Sequence, residues 1–286
     1  MATLQAITIY PIKSCAGIAL EQAGIGPLGL ALDRHWMVVD GEGGFLSQRS
    51  HPGMACIVPR FEGADLVLAA PGMPQLRLAA AGEEGERGRA VTVQVWKDSV
   101  VALDQGERAR RWFSDYLSID ARLVRFSPDA QRLCSARWTQ PQQAATQFSD
   151  GYPLLVIGQA SLDDLNARLA AKGAPALPME RFRPNLVIEG LEAYEEDFID
   201  TILLGAGEAA VELRLVKPCA RCPMPGIDQR TGLRDPQWPD EPLDTLAAYR
   251  ANARVDGGLC FGQNAIVSRA GAEIRVGQEC SWELRF

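Results

Sequence analysis

The sequence predicts an α+β protein built around a β-barrel-like sheet, and three observations carry that prediction. Short runs of alternating or β-branched apolar residues, each closed by Gly, Pro or charged residues, recur along most of the chain. Only three segments show a convincing helical period. No Gly-rich phosphate loop links a strand to a helix, as a doubly wound nucleotide fold would require.

In chain order, "LQAITIYPIK" (4–13) opens as an alternating strand that ends at Pro11. The runs "HWMVVD", "DLVLAA", "QLRLAA" and "VTVQVW" follow as strands. Residues 105–118 form a helix, because Ala109, Trp112, Phe113, Tyr116 and Leu117 fall at i, i+3, i+4, i+7 and i+8. "ARLVRF" (121–126) is a strand. Residues 127–148, rich in Gln, Ala and Pro, have no period and read as an extended connection crossing over a site.

"PLLVIG" (153–158) then reads as a buried strand. "ASLDDLNARLAA" (160–171) reads as a helix capped by Ser161, with Asp164 three residues on and Leu162, Leu165 and Leu169 on one face. "NLVIEG" and "AVELRLV" are strands, "PLDTLAAYR" (242–250) is a short Pro-started helix, and 272–286 is a terminal strand pair.

A chain of 286 residues can bury a large core. A net charge of −7 argues against a nucleic-acid surface but leaves room for a local basic pocket. No apolar run is long enough to span a bilayer, and the first fifteen residues lack the basic and apolar regions of a signal peptide. Seven irregularly spaced cysteines suit reduced thiols, so a cytoplasmic setting is expected.

The stretch "KPCARCPMPGIDQRTG" (217–232) sets Cys219 and Cys222 three apart. A structural zinc site needs four ligands, yet His35 and His51 are far upstream and no second close Cys pair exists. A thioredoxin-type dithiol would open a helix, and "PMPG" prevents one. Two buried cysteines in a turn is the simplest reading of the spacing. Lys217 and Arg221 flank the pair, however, and neighbouring cations favour a thiolate. Such a thiolate suits a transition metal held mainly by a non-protein ligand.

Cations also stand at the ends of apolar strands. Lys13 and Ser14 follow the first, Arg34 precedes Trp36, and Arg183 and Asn185 open "NLVIEG". Singly, such residues are usually solvated strand ends. Together, the three cations suit a phosphate-bearing ligand.

The motifs "IYPIKSCAG", "LDRHWMVVD", "FRPNLVI", "KPCARC…DQRTG" and "FGQNAIV" occur in an order that resembles the MOSC proteins with an N-terminal MOSC β-barrel region. These are relatives of the mitochondrial amidoxime-reducing component and of bacterial reductases of N-hydroxylated compounds. The resemblance implies an N-terminal MOSC β-barrel region over 1–125, intimately packed on a β-barrel-like MOSC domain over 126–286. It implies a molybdenum cofactor (molybdenum with one molybdopterin), with Cys222 as the protein's metal ligand and catalytic residue and Cys219 as its neighbour. Lys13, Ser14, Arg34, Arg183 and Asn185 correspond to cofactor contacts. So do Asp150, Gly151 and Tyr152 in the loop "SDGYP" (149–153), Ala220 and Arg221 beside the ligand, and Asn264 in "FGQN". Asp150 and Asp228 are the candidate proton carriers.

The implied activity is a molybdenum-dependent oxidoreductase acting on the N–O bonds of amidoximes, hydroxylamines or N-hydroxylated bases. The sequence shows no ferredoxin-type cysteine cluster, so a separate iron–sulfur or haem protein is expected to supply electrons. The alternative is a non-catalytic cofactor carrier or sulfur-transfer protein, because MOSC domains also end cofactor sulfurases. No pyridoxal-phosphate-type enzyme precedes the domain here.

Overall fold

The computed structural model describes residues 1–80, 88–271 and 273–285. Seven strands close into a barrel in the spatial order Leu154–Gly158, Leu186–Glu189, Ala2–Ile9, Glu279–Leu284, Ile199–Leu204, Val211–Ala220 and Gly258–Arg269. The last pairs antiparallel with the first, Leu154 opposite Ala265, which removes the free edges. The first strand of the chain therefore sits among strands from the second half, paired with Leu186–Glu189 and Glu279–Leu284.

Period-2 alternation explains the barrel core. Leu4, Ile7, Val156, Leu186, Ile202, Leu213, Leu215, Ala265 and Val267 point inward. The strand Leu154–Gly158 is buried on both faces. Leu154 and Val156 fill the barrel, while Leu155 and Ile157 pack with Leu162, Leu165 and Leu169 of the helix Gln159–Ala171. Burial on both sides is why this run reads as continuously apolar.

A four-stranded antiparallel sheet, ordered Trp36–Asp40, Ala121–Phe126, Asp98–Asp104 and Ala90–Val95, lies beside the barrel. The helix Gly106–Leu117 buries Ala109, Trp112 and Phe113, as its periodicity predicts. With Trp36, Val38, Met54, Leu66, Leu68 and Leu123 these residues form a second core. The strands Val58–Glu62, Asp65–Ala69 and Leu76–Ala79 pair in a small sheet of their own.

Two expectations need correction. Ser161 is not a helix cap: the helix starts at Gln159, with Gly158 at its N-cap. The buried Ser161 hydroxyl donates to Glu196 Oε2 at 2.8 Å and accepts from the Tyr194 amide. Glu196 also accepts from the Gly158 amide at 3.3 Å, so Ser161 is drawn into a buried tertiary contact at the helix start. The last two strands, Glu273–Arg275 and Glu279–Leu284, do not pair with each other. Their short link hydrogen-bonds to Leu4 instead of turning back, sending one strand to Gln22–Gly26 and the other into the barrel. Ala272 and Phe286, the ends of that expected pair, lie outside the described residues.

Candidate functional site

A cavity of about 500 Å³ opens where the barrel meets the four-stranded sheet. Its walls include Lys13, Ser14, Arg34, Asp150, Gly151, Tyr152, Arg183, Asn185, Ala220, Arg221, Cys222 and Asn264. Every residue singled out from the sequence as a cofactor contact or ligand is thus brought to one place. Its polar groups come mainly from segments flanking barrel strands: Lys13 and Ser14 follow Ala2–Ile9, Asp150 precedes Leu154–Gly158, and Arg183 and Asn185 precede Leu186–Glu189.

The cations are held by buried partners. Arg34 and Arg183 lie on the Tyr10 ring, 4.3 and 4.2 Å from its centroid. Arg34 Nη1 donates to Asp33 Oδ2 at 2.6 Å and to Asn185 Oδ1 at 3.0 Å. Asn185 in turn accepts from the Leu155 amide and donates to Thr8 O, fixing both ends of its amide. Burial pulls Arg183 down to about 10, opposed by Tyr10 and aided by the like charge of Arg34. Ser14, Arg34 and Arg183 all have left-handed backbone, with φ of 67°, 47° and 56°. Non-glycine residues rarely adopt it, and three such residues around one cavity mark strain stored at a site.

The loop Ser149–Tyr152 is pinned from two sides. Arg132 donates to the carbonyls of Gln147, Ser149 and Asp150, and its Nε donates to Asp98. Lys13 Nζ donates to Phe148 O at 2.8 Å and to Asp150 Oδ1 at 2.5 Å. Burial pushes the Asp150 carboxyl up, but Lys13, the Trp96 indole N–H and Arg49 outweigh it and hold the group well below the usual carboxylate range. Asp150 therefore keeps its charge and is a poor proton donor. Asp228 lines a separate depression, where its carboxylate accepts from the Arg230 and Thr231 amides and from Arg181. It holds a turn.

The two neighbouring thiols have different surroundings. Register shifts at Leu215/Lys217 and Pro218/Ala220 bend the strand Val211–Ala220 as it delivers the pair to the cavity. Cys219 packs against the helix-side core, with Arg221 Nη1 3.1 Å from its sulfur. Cys222 faces Arg49, whose Nη1 is 3.7 Å from its Sγ. Among the described residues no three His, Cys, Asp or Glu side chains gather as a metal-ligand set. A metal at Cys222 must take most of its donors from a non-protein ligand.

Seven cations line the cavity (Lys13, Arg34, Arg49, Arg181, Arg183, Lys217 and Arg221) against one carboxylate, Asp150. The Nε atoms of Arg181 and Arg221 are buried without a hydrogen-bond partner. Excess cations, unsatisfied donors and free thiols at Cys219 and Cys222 fit an anionic pterin carrying a thiophilic metal.

Arg49, Trp96, Arg181, Phe182 and Met224 also line the cavity and escaped the sequence reading. Arg49 and Trp96 reach it from loops of the first half. The guanidinium of Arg49 stacks 4.5 Å over the Trp96 ring, and Trp96 donates to Asp150. Their only local signal is an aromatic residue at a hairpin tip.

Family models match in two blocks. The MOSC N-terminal beta barrel domain matches residues 1–120, and the MOSC domain matches residues 143–281. The chain is 33% identical over 257 residues to mitochondrial amidoxime reducing component 2 of Homo sapiens, covering 87% of this chain and 73% of that protein. It is 33% identical over 291 residues to mitochondrial amidoxime-reducing component 1 of Mus musculus, covering 97% and 81%. With both matches in sequence order and relatives aligned over most of their length, the chain belongs to the MOSC family, as a member that joins the MOSC N-terminal β-barrel domain to a MOSC domain.

Proposed function

We propose that the protein is a molybdenum-cofactor-dependent reductase of N-hydroxylated compounds, drawing electrons from a separate redox protein. One observation carries this reading: two free thiols, Cys219 and Cys222, share a cavity with seven cations and one carboxylate, and Cys222 is the one beside Arg49. The names of the relatives, amidoxime-reducing components, support the substrate class.

Bound there, the cofactor would supply the two-electron chemistry on the N–O bond. The chain's own residues do the rest. Cys222 provides one soft ligand to the metal. Arg34 and Arg183, pre-set on Tyr10 and by Asn185, hold phosphate oxygens, and Lys13 contributes charge at the loop Ser149–Tyr152. Asp150, held ionised, accepts hydrogen bonds from donors on the ligand and orients them. The aromatic shelf of Trp96 and Phe45, 5.0 Å apart in an edge-to-face pair, lies beside Arg49 and narrows the approach to the thiol.

The test is turnover by protein purified from a cofactor-competent host, with chemically reduced viologen as reductant. A panel of amidoximes, hydroxylamines and N-hydroxylated bases should be reduced by the wild type and left untouched by Cys222→Ala. Tight pterin binding with no turnover of any panel member would replace this reading with that of a cofactor carrier.

A further inference from the structure

A second depression, of about 460 Å³, shares no wall residue with the thiol cavity. Arg137, Arg214, Arg254 and Arg285 line it against a single carboxylate, Asp200. In a chain of net charge −7 this is a local concentration of uncompensated positive charge.

The arginines are poorly satisfied by the protein. Arg285 Nε is 3.4 Å from Asp200 Oδ1, its Nη2 bonds to carbonyls, and its Nη1 is buried without a partner. Arg214 reaches only the carbonyls of Thr139 and Gln140. Arg137 and Arg254 rest on the Trp138 ring, 5.2 and 5.3 Å from its centroid, with no carboxylate within ion-pair distance among the described residues. Phe198 and Leu284, 66% and 45% exposed, stand beside Arg285, whose amide donates to Phe198 O. Arginine and aromatic side chains around a charged, partly apolar face are what protein interfaces concentrate.

This face also lies close to the thiol. Lys217 Nζ is 5.7 Å from the Trp138 ring and 5.8 Å from the Tyr152 ring, and both Lys217 and Tyr152 line the thiol cavity. One indole thus separates the depression from the cavity. The turn Ala253–Val255 that carries Arg254 is pressed against the same wall. A Cβ at Gly258 would lie 3.1 Å from Val255 O and 3.0 Å from Ala220 Cβ, two residues before Cys222.

We propose that the four-arginine depression is the docking surface for the protein's electron donor, an acidic iron–sulfur or haem protein whose carboxylates enter it and whose redox centre is brought up to Trp138. The proposal rests on the reductase reading above. Occupancy of this face leaves the substrate cavity open, which a donor docked over Arg49 and Trp96 would not. The balance is that of a one-electron carrier oxidised twice. An amidoxime takes two electrons and two protons, its N–O bond breaks, and an amidine and water leave.

The test compares wild type with the charge-reversed double variant R137E/R254E, both loaded with cofactor. Substrate is benzamidoxime, and the reductants are reduced methyl viologen, an acidic plant-type [2Fe–2S] ferredoxin and an acidic soluble b-type haem protein. The KM for at least one acidic carrier should rise by about tenfold or more in the variant, with a flatter salt dependence. The viologen rate should stay within about twofold, as expected for a small reductant that needs no docking face. Calorimetric binding of that oxidised carrier to cofactor-free protein should weaken in step.

Equal KM values in wild type and variant would overturn the proposal. So would a wild type that viologen reduces and neither acidic carrier does. Pyrophosphate that binds through these arginines without competing with a carrier would make the depression a small-anion site instead, also overturning it. A wild type that viologen cannot drive would fail at the reductase reading, a separate and recognisable result.

Discussion

Lys13 Nζ and Asp150 Oδ1 meet at 2.5 Å across 137 residues of chain, joining the first strand's exit to the loop that walls the cavity. The ammonium is buried, its side chain 7% exposed, whereas 63% of the Asp150 side chain meets solvent. Burial pulls Lys13 below its ordinary range, and Asp150 opposes that pull. The pair locks the loop while keeping a charged carboxylate at the cavity's rim.

Replacing Asp150 by Asn should therefore destabilise the fold in a pH-dependent way. A carboxyl held below its unfolded value adds stability above about pH 4, and that stability is lost as pH falls through the folded value. Solvent exposure of the carboxylate discounts the effect to about 1 kcal/mol at pH 7. Thermal melts should show a Tm about 2–4 °C lower for Asp150→Asn at pH 7. The gap should shrink steadily as pH is lowered below the ordinary carboxylate range. A gap that is constant with pH would mean the aspartate acts by shape and not by charge.

Glu196 should give the opposite trend. It is fully buried, and its hydrogen-bond donors, Ser161 Oγ and the Gly158 amide, are neutral. Burial raises its carboxyl to about 7, with Ser161 opposing and Asp197 reinforcing. A folded value above the unfolded one means that the native state binds the extra proton. The stability this gives is present in full below about pH 4.5 and is lost as pH rises through about 7. Glu196→Gln removes the titration, so its Tm relative to wild type should climb between pH 6 and pH 8. The gain per unit of pH is bounded by about 1.4 kcal/mol. A flat difference across that range would mean that Glu196 does not titrate there.

Gly262 should tolerate no side chain. It has φ +77° in the strand Gly258–Arg269, and a Cβ would sit 2.6 Å from Ile157 Cγ1 and 2.9 Å from Val156 O. Those atoms belong to the strand that closes the barrel against it. Left-handed strain and overpacking together make Gly262→Ala cost about 3 kcal/mol. Chemical denaturation should show the loss as a lower midpoint with the slope unchanged.

The sequence made half of this site legible, for a physical reason. Lys13, Arg34 and Arg183 stand out because they flank the ends of apolar strands, where a charge turned toward the core needs a partner. The pair Cys219 and Cys222 stands out by its spacing and flanking cations, and the family resemblance alone singles out Cys222. Arg49 and Trp96 do not stand out, since "SQRS" carries no pattern and Trp96 reads as the end of the strand "VTVQVW". Only the fold brings these two exposed side chains together at the cavity. Left-handed backbone at Ser14, Arg34 and Arg183 is equally silent, because none of these is a glycine. Ser161 misled because a serine ahead of an apolar helix is a good local cap, and only tertiary structure reveals that its hydroxyl is taken by Glu196 and the Tyr194 amide. The long strand Gly258–Arg269 was visible only as the motif "FGQNAIV", its central glycine hiding a strand that bends to close a barrel.

The two thiols of the pair should separate cleanly by experiment. Both line the cavity, but Cys219 packs against the helix-side core beside Arg221, whereas Cys222 faces Arg49. The cations on Tyr10 that would hold the cofactor's phosphate do not depend on either sulfur. Cys222→Ala should therefore keep its pterin and the molybdenum held by the pterin's own donors, and lose the thiolate-to-metal absorption that the Cys222 sulfur would give. Cys219→Ala should keep all of these and lose about 1 kcal/mol of stability from the vacated core position. Arg183→Met should lose pterin and molybdenum together, because the anion's anchor is removed before the metal can be presented to the thiol. Metal analysis by mass spectrometry, fluorescent quantitation of the oxidised pterin and the visible absorption spectrum together read all three. Thiolate-to-metal absorption retained by Cys222→Ala and lost by Cys219→Ala would reverse the assignment of the ligand within the pair.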